Sequence, residues 1–402
     1  MKQDEKKTPS KLLKVDEGEF RGHLKELVRG SVEETLNTLL DAEADRICDA
    51  KRYERTDARK DTRAGSYTRK LQTQAGEMSL KVPKLRNLPF ESSIIQRYRR
   101  RESSVEEAMI EMYLAGVSVR RVEDITEALW GTKVSPSTVS EINKKLYIRI
   151  EKWLNRKIDG EYPYVYLDGM YLKRSWGGEV KNVAILVAVG VNKDGYREVL
   201  GAVEGSREDH ASWLNFLRSL KERGLKGIQL IISDKCLGLV ESIQEVFPES
   251  QWQRCIVHFY RNVFSKVPRK HLRKVAAMLK AIHAQESRKT AQEKTESVVE
   301  ELRKMKLPNA AGILEEGIGE TLTYYSYPDT HWRKIRTNNP LERLIREIRR
   351  RTRVVCAFPD GKSALMLASA RLRHVSGTKW GTIRYMRMEA LYEQKKIGKR
   401  VA

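Results

Sequence analysis

Cysteine is scarce in this chain of 402 residues: Cys48, Cys236, Cys255 and Cys356 are scattered and form no CxxC pair. That spacing argues against a disulfide framework or a four-cysteine zinc site and suits a reducing cytoplasm. Long hydrophobic runs are missing as well. The strongest, Val183–Val189, falls far below the ~20 residues that a membrane-spanning helix needs. Residues 1–10 are polar and hold no apolar signal core. Acidic residues are in deficit, 54 against 77 lysines and arginines, which leaves a formal net charge of +23. Such an excess attracts a polyanion and does little for folding. Nucleic acid is the leading partner; a ribosomal or chromatin-like structural role, or an anionic membrane surface, also fits charge alone.

What is present organises into stretches of different period. At 40% hydrophobic residues the chain can build a real core, and its length predicts two to four structural units. Residues 1–100 read as an N-terminal helical region with a basic hairpin. A polar tail leads into a helix over Glu19–Ile47, with Leu24, Leu27, Val28, Leu36, Leu39 and Leu40 as its apolar stripe. Residues 66–86 read as two strands around Gln74-Ala75-Gly76, and Lys70, Lys81, Lys84 and Arg86 make them basic. Those lysines and the arginine either touch phosphate or simply solvate the hairpin. Residues 101–155 read as three helices: Ser104–Leu114, Val119–Trp130, and a third capped by Ser135 with Pro136 at its first position. If this is a helix-turn-helix, Ser137, Thr138 and Glu141 are the candidate base-edge or phosphate contacts, with Lys144 further along. A plain helical packing unit is the competing reading.

Residues 156–257 turn strongly β. Tyr164–Gly169 predicts a short strand ending in Asp168, followed by strands over Val183–Val191 and Tyr196–Glu204 and a helix over 208–223. Gly227–Ser233 predicts a fourth strand that runs into Asp234, then a helix over Leu237–Val246 and a fifth strand over Trp252–Val257. The order β-β-β-α-β-α-β is a ribonuclease H-like α/β arrangement, in which the first and fourth strands are neighbours. One aspartate at a strand end is ordinarily a cap. Two at corresponding ends point to a divalent cation that relieves their repulsion.

Residues 258–335 read as a helical insertion that ends in a looser stretch containing Pro308, Gly312, Gly317, Gly319 and Pro328. Its basic residues, Arg269 and Lys270 among them, either hold DNA or solvate the helices. Trp332 either stacks on DNA or packs among aromatics. Residues 336–402 complete the catalytic region. Asn339 suits a cap and Pro340 a first turn, so Glu342 stands at the start of a long helix. Arg346, Arg349 and Arg353 follow near the same face. Residues 333–353 hold nine basic residues against two acidic ones, as expected where phosphates run past a metal-bound carboxylate. Glu347 is the competing glutamate; Glu342 is preferred because it follows the cap.

Several segments resemble the bacterial insertion-sequence transposases of the Mutator-like family: YVYLDG at 164–169, ISDKCLGLVESI at 232–243, WQRCIVHFYRNV at 252–263, RTNNPLERLIREIRRRTRVVCAFPDG at 336–361 and SALMLASARLRHVSGTKWG at 363–381. The resemblance covers nearly the whole chain. It implies that Asp168, Asp234 and Glu342 are the catalytic, metal-binding triad and that Cys255 and His258 are the family's cysteine-x-x-histidine signature. His258 then orders a catalytic carboxylate or contacts phosphate; packing at a strand-to-helix junction is the alternative. The chain departs from the pattern at Cys356, where many relatives have glycine, and at Lys235-Cys236, where a histidine commonly follows the second aspartate.

The activity so implied is that of a transposase binding two Mg²⁺ ions, with Mn²⁺ able to substitute. It cleaves and joins strands by direct phosphoryl transfer. Its partners are terminal inverted repeats, target DNA and at least one further copy of itself. Its location is the cytoplasm, at the nucleoid of a bacterium or archaeon. The competing functions are a non-catalytic DNA-binding protein and a metal-dependent nuclease that does not join ends.

Overall fold

The structure, a computed structural model, describes residues 17–95, 102–114, 117, 119–130, 146–176, 179–205, 208–352, 358 and 360–401. The chain divides into two compact units, Met1–Lys144 and Lys145–Ala402. Among the described residues, no helix is long and apolar enough to cross a membrane.

The first unit contains α1 (Glu17–Cys48), the antiparallel hairpin β1 (Arg63–Thr73) and β2 (Gly76–Leu85), α2 (Ser103–Leu114) and α3 (Val119–Trp130). Helix α1 lies along β2 and serves the outward amides of that edge. Glu33 accepts from Ser79 N at 3.1 Å and Asn37 Oδ1 from Lys81 N at 2.7 Å. Backbone groups of an edge strand need such partners. Leu40, Leu71, Leu80, Val82 and Ile95 close a small core beneath. The expected apolar stripe of α1 is buried only where the hairpin covers it. Leu40 is buried and Leu36 packs beside it, whereas Leu24, Leu27, Val28 and Leu39 are exposed. The predicted third helix, with Ser137, Thr138, Glu141 and Lys144, lies outside the described residues, as do Arg353 and Cys356.

The second unit begins with α4 (residues 146–154) and builds a five-stranded sheet. Its strands are β3 (Tyr164–Trp176), β4 (Glu179–Val191), β5 (Arg197–Gly205), β6 (Leu230–Ser233) and β7 (Gln251–Arg254), with α5 (His210–Glu222) and α6 (Leu237–Val246) between the later ones. The spatial order β5-β4-β3-β6-β7, with β3 parallel to β6 and β6 to β7, is the ribonuclease H-like layout. Strand β3 is twice as long as expected. It does not end at Asp168, because each of its thirteen residues pairs with β4. Strand β7 is shorter than expected, because Ile256 and Val257 begin the next helix.

One face of the sheet carries Val165, Leu167, Leu186, Ala188 and Ile231, packed on Trp213, Phe216, Leu217 and Leu220 of α5 and on Leu239, Ile243 and Val246 of α6. Each such side chain contributes about 1.5–3 kcal/mol on burial, which is why both short helices hold. Strand alternation sends Tyr164, Tyr166 and Asp168 to the opposite face.

After β7 comes the helical insertion: α7 (Ile256–Phe264), α8 (Leu272–Ile282), α9 (Arg288–Lys304), α10 (Pro308–Gly317) and α11 (Asp329–Ile335). It has its own core around Phe259, Leu279, Ile282, Leu302 and Leu314. The stretch expected to be loose is therefore ordered. Pro308 sits at the first turn of α10, where its missing N–H costs nothing, and Gly317 ends that helix. Helices α12 (Asn339–Thr352), α13 (Gly361–Ser376), α14 (Lys379–Thr382) and α15 (Glu389–Val401) complete the chain.

A carboxylate cluster and a candidate metal group

The register of β3 and β6 joins residues 66 apart, from Tyr164 with Leu230 to Tyr166 with Ile232. Asp234 directly follows β6, and the same offset carried on would set it level with Asp168, where its charge is felt. Neighbouring strands lie about 4.8 Å apart, so their side chains share one neighbourhood. Asp168 Oδ1 accepts from Gly169 N at 2.9 Å, and Asp234 Oδ1 accepts from Lys235 N at 2.7 Å.

Strand β3 outruns β6, which leaves backbone groups on that edge without a strand partner, and the start of α12 fills the gap. Asn338 is fully buried. Its Nδ2 donates to Leu167 O at 3.0 Å, its backbone N donates to Cys255 Sγ at 3.2 Å, and its carbonyl accepts from Leu341 N and Glu342 N. Asn339, expected as the cap, is the first residue of α12, and Asn338 before it ties the helix start to β3 while its own Oδ1 is buried without a partner. Glu342 is carried into the same neighbourhood, where His258 Nε2 lies 3.5 Å from its Oε1. Glu342 Oε1 and His258 Nδ1 are both buried without a hydrogen-bond partner.

Cys255, His258 and Glu342 form a candidate metal-binding group, with one ligand atom from each within 4.8 Å of the others. Among the described residues no other such group of three closes to that distance, so the oxygens of Asp168, Asp234 and Glu342 are not that tightly drawn together. They are nevertheless coupled. Burial pushes the Asp168 carboxyl up to about 7, and the charges of Glu208, Glu342 and Asp234 add to the rise against the opposing Gly169 N–H. Burial also pushes the Cys255 thiol up. The carboxylates offer the hard oxygen donors that Mg²⁺ takes, whereas the nitrogen and sulfur of His258 and Cys255 suit softer ions.

Glu208 was not singled out from the sequence. It sits just before Asp209, the residue that caps α5 by accepting from Ser212 N at 2.9 Å. A Cβ at Gly169 would lie 2.3 Å from Glu208 Oε1. An aspartate-glycine pair at the end of a predicted strand was the available signal, but nothing local says which acidic group fills the space that the glycine leaves.

Glu347 is turned to other work, with Oε1 2.9 Å from Arg350 and 2.7 Å from Arg371 of α13. Arg346 and Arg349 are exposed on α12, and Arg269 and Lys270 are exposed in the turn before α8. On the hairpin, Lys81, Lys84 and Arg86 are exposed, Lys84 lies over the Tyr67 ring and Lys70 is paired with Glu77 at 2.7 Å. Trp332 is engaged within the insertion, edge-on to Tyr324 and Tyr325, with its Nε1 donating to Tyr327 O at 2.7 Å. Lys235, the departure after Asp234, reaches Glu320 at 2.6 Å, and Arg254 holds the other oxygen of Glu320 at 3.0 Å.

Residues 2–380 match the family model described as "Transposase, Mutator family". The chain is 38% identical over 381 residues to the transposase for insertion sequence element ISRM5 of Rhizobium meliloti, covering 94% of both chains. It is 37% identical over 368 residues to the transposase for insertion sequence element IS1081 of Mycobacterium tuberculosis, covering 91% of this chain and 88% of that one. The transposase for insertion sequence element IS256 in transposon Tn4001 of Staphylococcus aureus is 35% identical over 339 residues, covering 84% of this chain and 87% of that one.

Proposed function

Because this chain belongs to the Mutator family of transposases, we propose that it binds the terminal inverted repeats of its own element and cuts and joins DNA strands at Asp168, Asp234 and Glu342. The observation that carries this reading is that the parallel pairing of β3 with β6 and the Asn338–Leu167 hydrogen bond draw the segments bearing Asp234 and Glu342 to the half-buried Asp168. Repulsion among carboxylates is relieved by divalent cations. Two Mg²⁺ ions, replaceable by Mn²⁺, would supply an activated water or 3′-hydroxyl and would stabilise charge at the leaving oxygen.

Asp168 and Asp234 would hold one cation, and Asp168 and Glu342 would hold the other. Asn338 sets the height of Glu342 against β3. His258 orients the Glu342 carboxylate, as partners of metal-binding carboxylates do. Cys255 closes the strand-to-helix junction behind them. Its buried thiol already accepts the Asn338 amide, which favours a packing role over ligation. Arg346 and Arg349 meet DNA phosphates beside Glu342, and Arg269 and Lys270 meet them from the insertion. No covalent enzyme–DNA bond is required.

The N-terminal region supplies recognition of the ends. Lys81, Lys84 and Arg86 contact the backbone from the hairpin, while Ser137, Thr138 and Lys144 read the repeat. Residues 1–100 and 101–155 are the recognition modules, 156–257 and 336–402 the catalytic region, and 258–335 its insertion. The working form is a homodimer or larger assembly, since two ends must be paired, and it acts on the nucleoid in the cytoplasm.

The test uses labelled duplexes carrying the inverted repeats that flank the gene. The wild type is expected to cleave and join them in Mg²⁺. Asp168→Ala, Asp234→Ala and Glu342→Ala are each expected to retain end binding and lose cleavage. Full turnover by any one of the three, correctly folded, removes that residue from the site. Indiscriminate digestion without joining makes the protein a nuclease, and binding with no cleavage by the wild type makes it a non-catalytic DNA-binding protein.

A further inference from the structure

Glu208 fills the space beside Gly169. Its Oε1 occupies the space that a side chain at residue 169 would take: a Cβ there would stand 2.3 Å from Oε1 and 2.6 Å from Cδ. Gly169 thus leaves room on the α5 side of the sheet for an acidic side chain at the residue next to Asp168, whose Oδ1 accepts from Gly169 N at 2.9 Å. The backbone of Glu208 is fixed from behind. Cys236 Sγ donates to Glu208 O at 3.2 Å, and a Cβ at Gly238 would stand 2.5 Å from His210 N. The segment that follows Asp234 therefore grips the segment that carries Glu208, which gives a role to Cys236, one of the two departures after the second aspartate.

The charge of Glu208 is felt at Asp168, and that of Asp234 at Glu208. Among the described residues no hydrogen bond or ion pair neutralises its carboxylate; Arg349 is the cation whose charge reaches it. Bringing a further half-buried carboxylate toward Asp168 and Asp234 raises the repulsion unless a cation is shared. Four carboxylates also balance two divalent cations charge for charge, which three do not.

We propose that Glu208 is a fourth metal-holding carboxylate, sharing the cation held by Asp168 and Asp234. This rests on the carboxylate site proposed above and extends it by one residue. Mg²⁺ keeps an octahedral set of oxygens, so a further carboxylate oxygen replaces one water without changing the type of ion bound.

Mn²⁺ serves as the probe. Free Mn²⁺ is measured by electron paramagnetic resonance during titration of the full-length protein without DNA, with thermal unfolding as a check on the fold. Glu208→Gln, which keeps the shape of the side chain, is expected to weaken binding of one ion by about 10- to 100-fold. Gly169→Ala is expected to do the same, because its methyl group takes the place of the Glu208 carboxylate. The double variant is expected to bind no worse than Glu208→Gln alone, and Glu208→Asp to recover part of the loss. Wild-type affinity in Glu208→Gln, together with a loss in Asp168→Asn, overturns the role of Glu208 and leaves the triad standing. Wild-type affinity in both overturns the carboxylate site itself. Should Gly169→Ala fail to fold, the isosteric Glu208→Gln still decides.

Discussion

Asn338 Nδ2 donates to Leu167 O at 3.0 Å, which fastens the helix bearing Glu342 to the strand residue directly before Asp168. Asn338→Ala removes that donor and leaves a buried carbonyl without it. Such a loss costs about 1–3 kcal/mol. Urea unfolding is expected to show a destabilisation of that size, and cleavage of end DNA is expected to fall more than end binding. A variant as stable and as active as the wild type would mean that this hydrogen bond contributes nothing to positioning Glu342.

The raised carboxyl of Asp168 makes stability depend on pH. Below about pH 4 the group is neutral in both the folded and the unfolded chain. Between there and about pH 7 only the unfolded chain ionises readily, so stability falls as pH rises through that window. Above it, the folded protein carries the buried charge. Asp168→Asn should therefore raise stability at pH 8, without added metal, by about 2–4 kcal/mol, and flatten the slope between pH 4 and 7. Added Mg²⁺ should stabilise the wild type more at pH 8 than at pH 6, and should do little for the variant. Parallel melting curves against pH for the two proteins would assign the ionisation elsewhere.

His258 lies 3.5 Å from a Glu342 oxygen that has no hydrogen-bond partner of its own. His258→Ala is expected to reduce cleavage by about 10- to 100-fold, the usual cost of removing a group that orients a metal ligand. Affinity for end DNA should stay within about twofold, and His258→Asn should restore part of the cleavage. Wild-type turnover in His258→Ala would leave the ring as packing between α7 and α12.

Arg346 and Arg349 stand exposed on α12, beyond Glu342. If each neutralises one phosphate, replacing either with alanine should lower the slope of log affinity against log salt by about one. It should also weaken cognate and unrelated DNA alike, since phosphate contacts carry no sequence information. An unchanged slope takes the substituted residue off the DNA path.

Much of the element order was open to reading because each stretch advertises its period. The branched run Val183–Val191 alternates into a sheet, and Trp213, Phe216, Leu217 and Leu220 mark one side of a helix. The errors fell where residues used in turns serve another purpose. Asp168-Gly169 looked like the end of a strand, yet pairing with β4 carries β3 on to Trp176. Prolines and glycines between 308 and 328 looked like breakers, yet Pro308 and Gly317 sit at the two ends of α10.

By itself the sequence determined the excess of positive charge and the succession of strands and helices, and it put forward two aspartates and one glutamate as candidate metal ligands. Periodicity and charge are local properties, written in neighbouring residues. Only the tertiary structure decided that pairing with β4 carries β3 on past Asp168, that Asn338 rather than Asn339 ties the Glu342 helix to β3, and that Glu208 fills the gap at Gly169. The physical reason is that local pattern fixes which face an element must bury, whereas the partner that covers the face is chosen by packing among segments far apart along the chain.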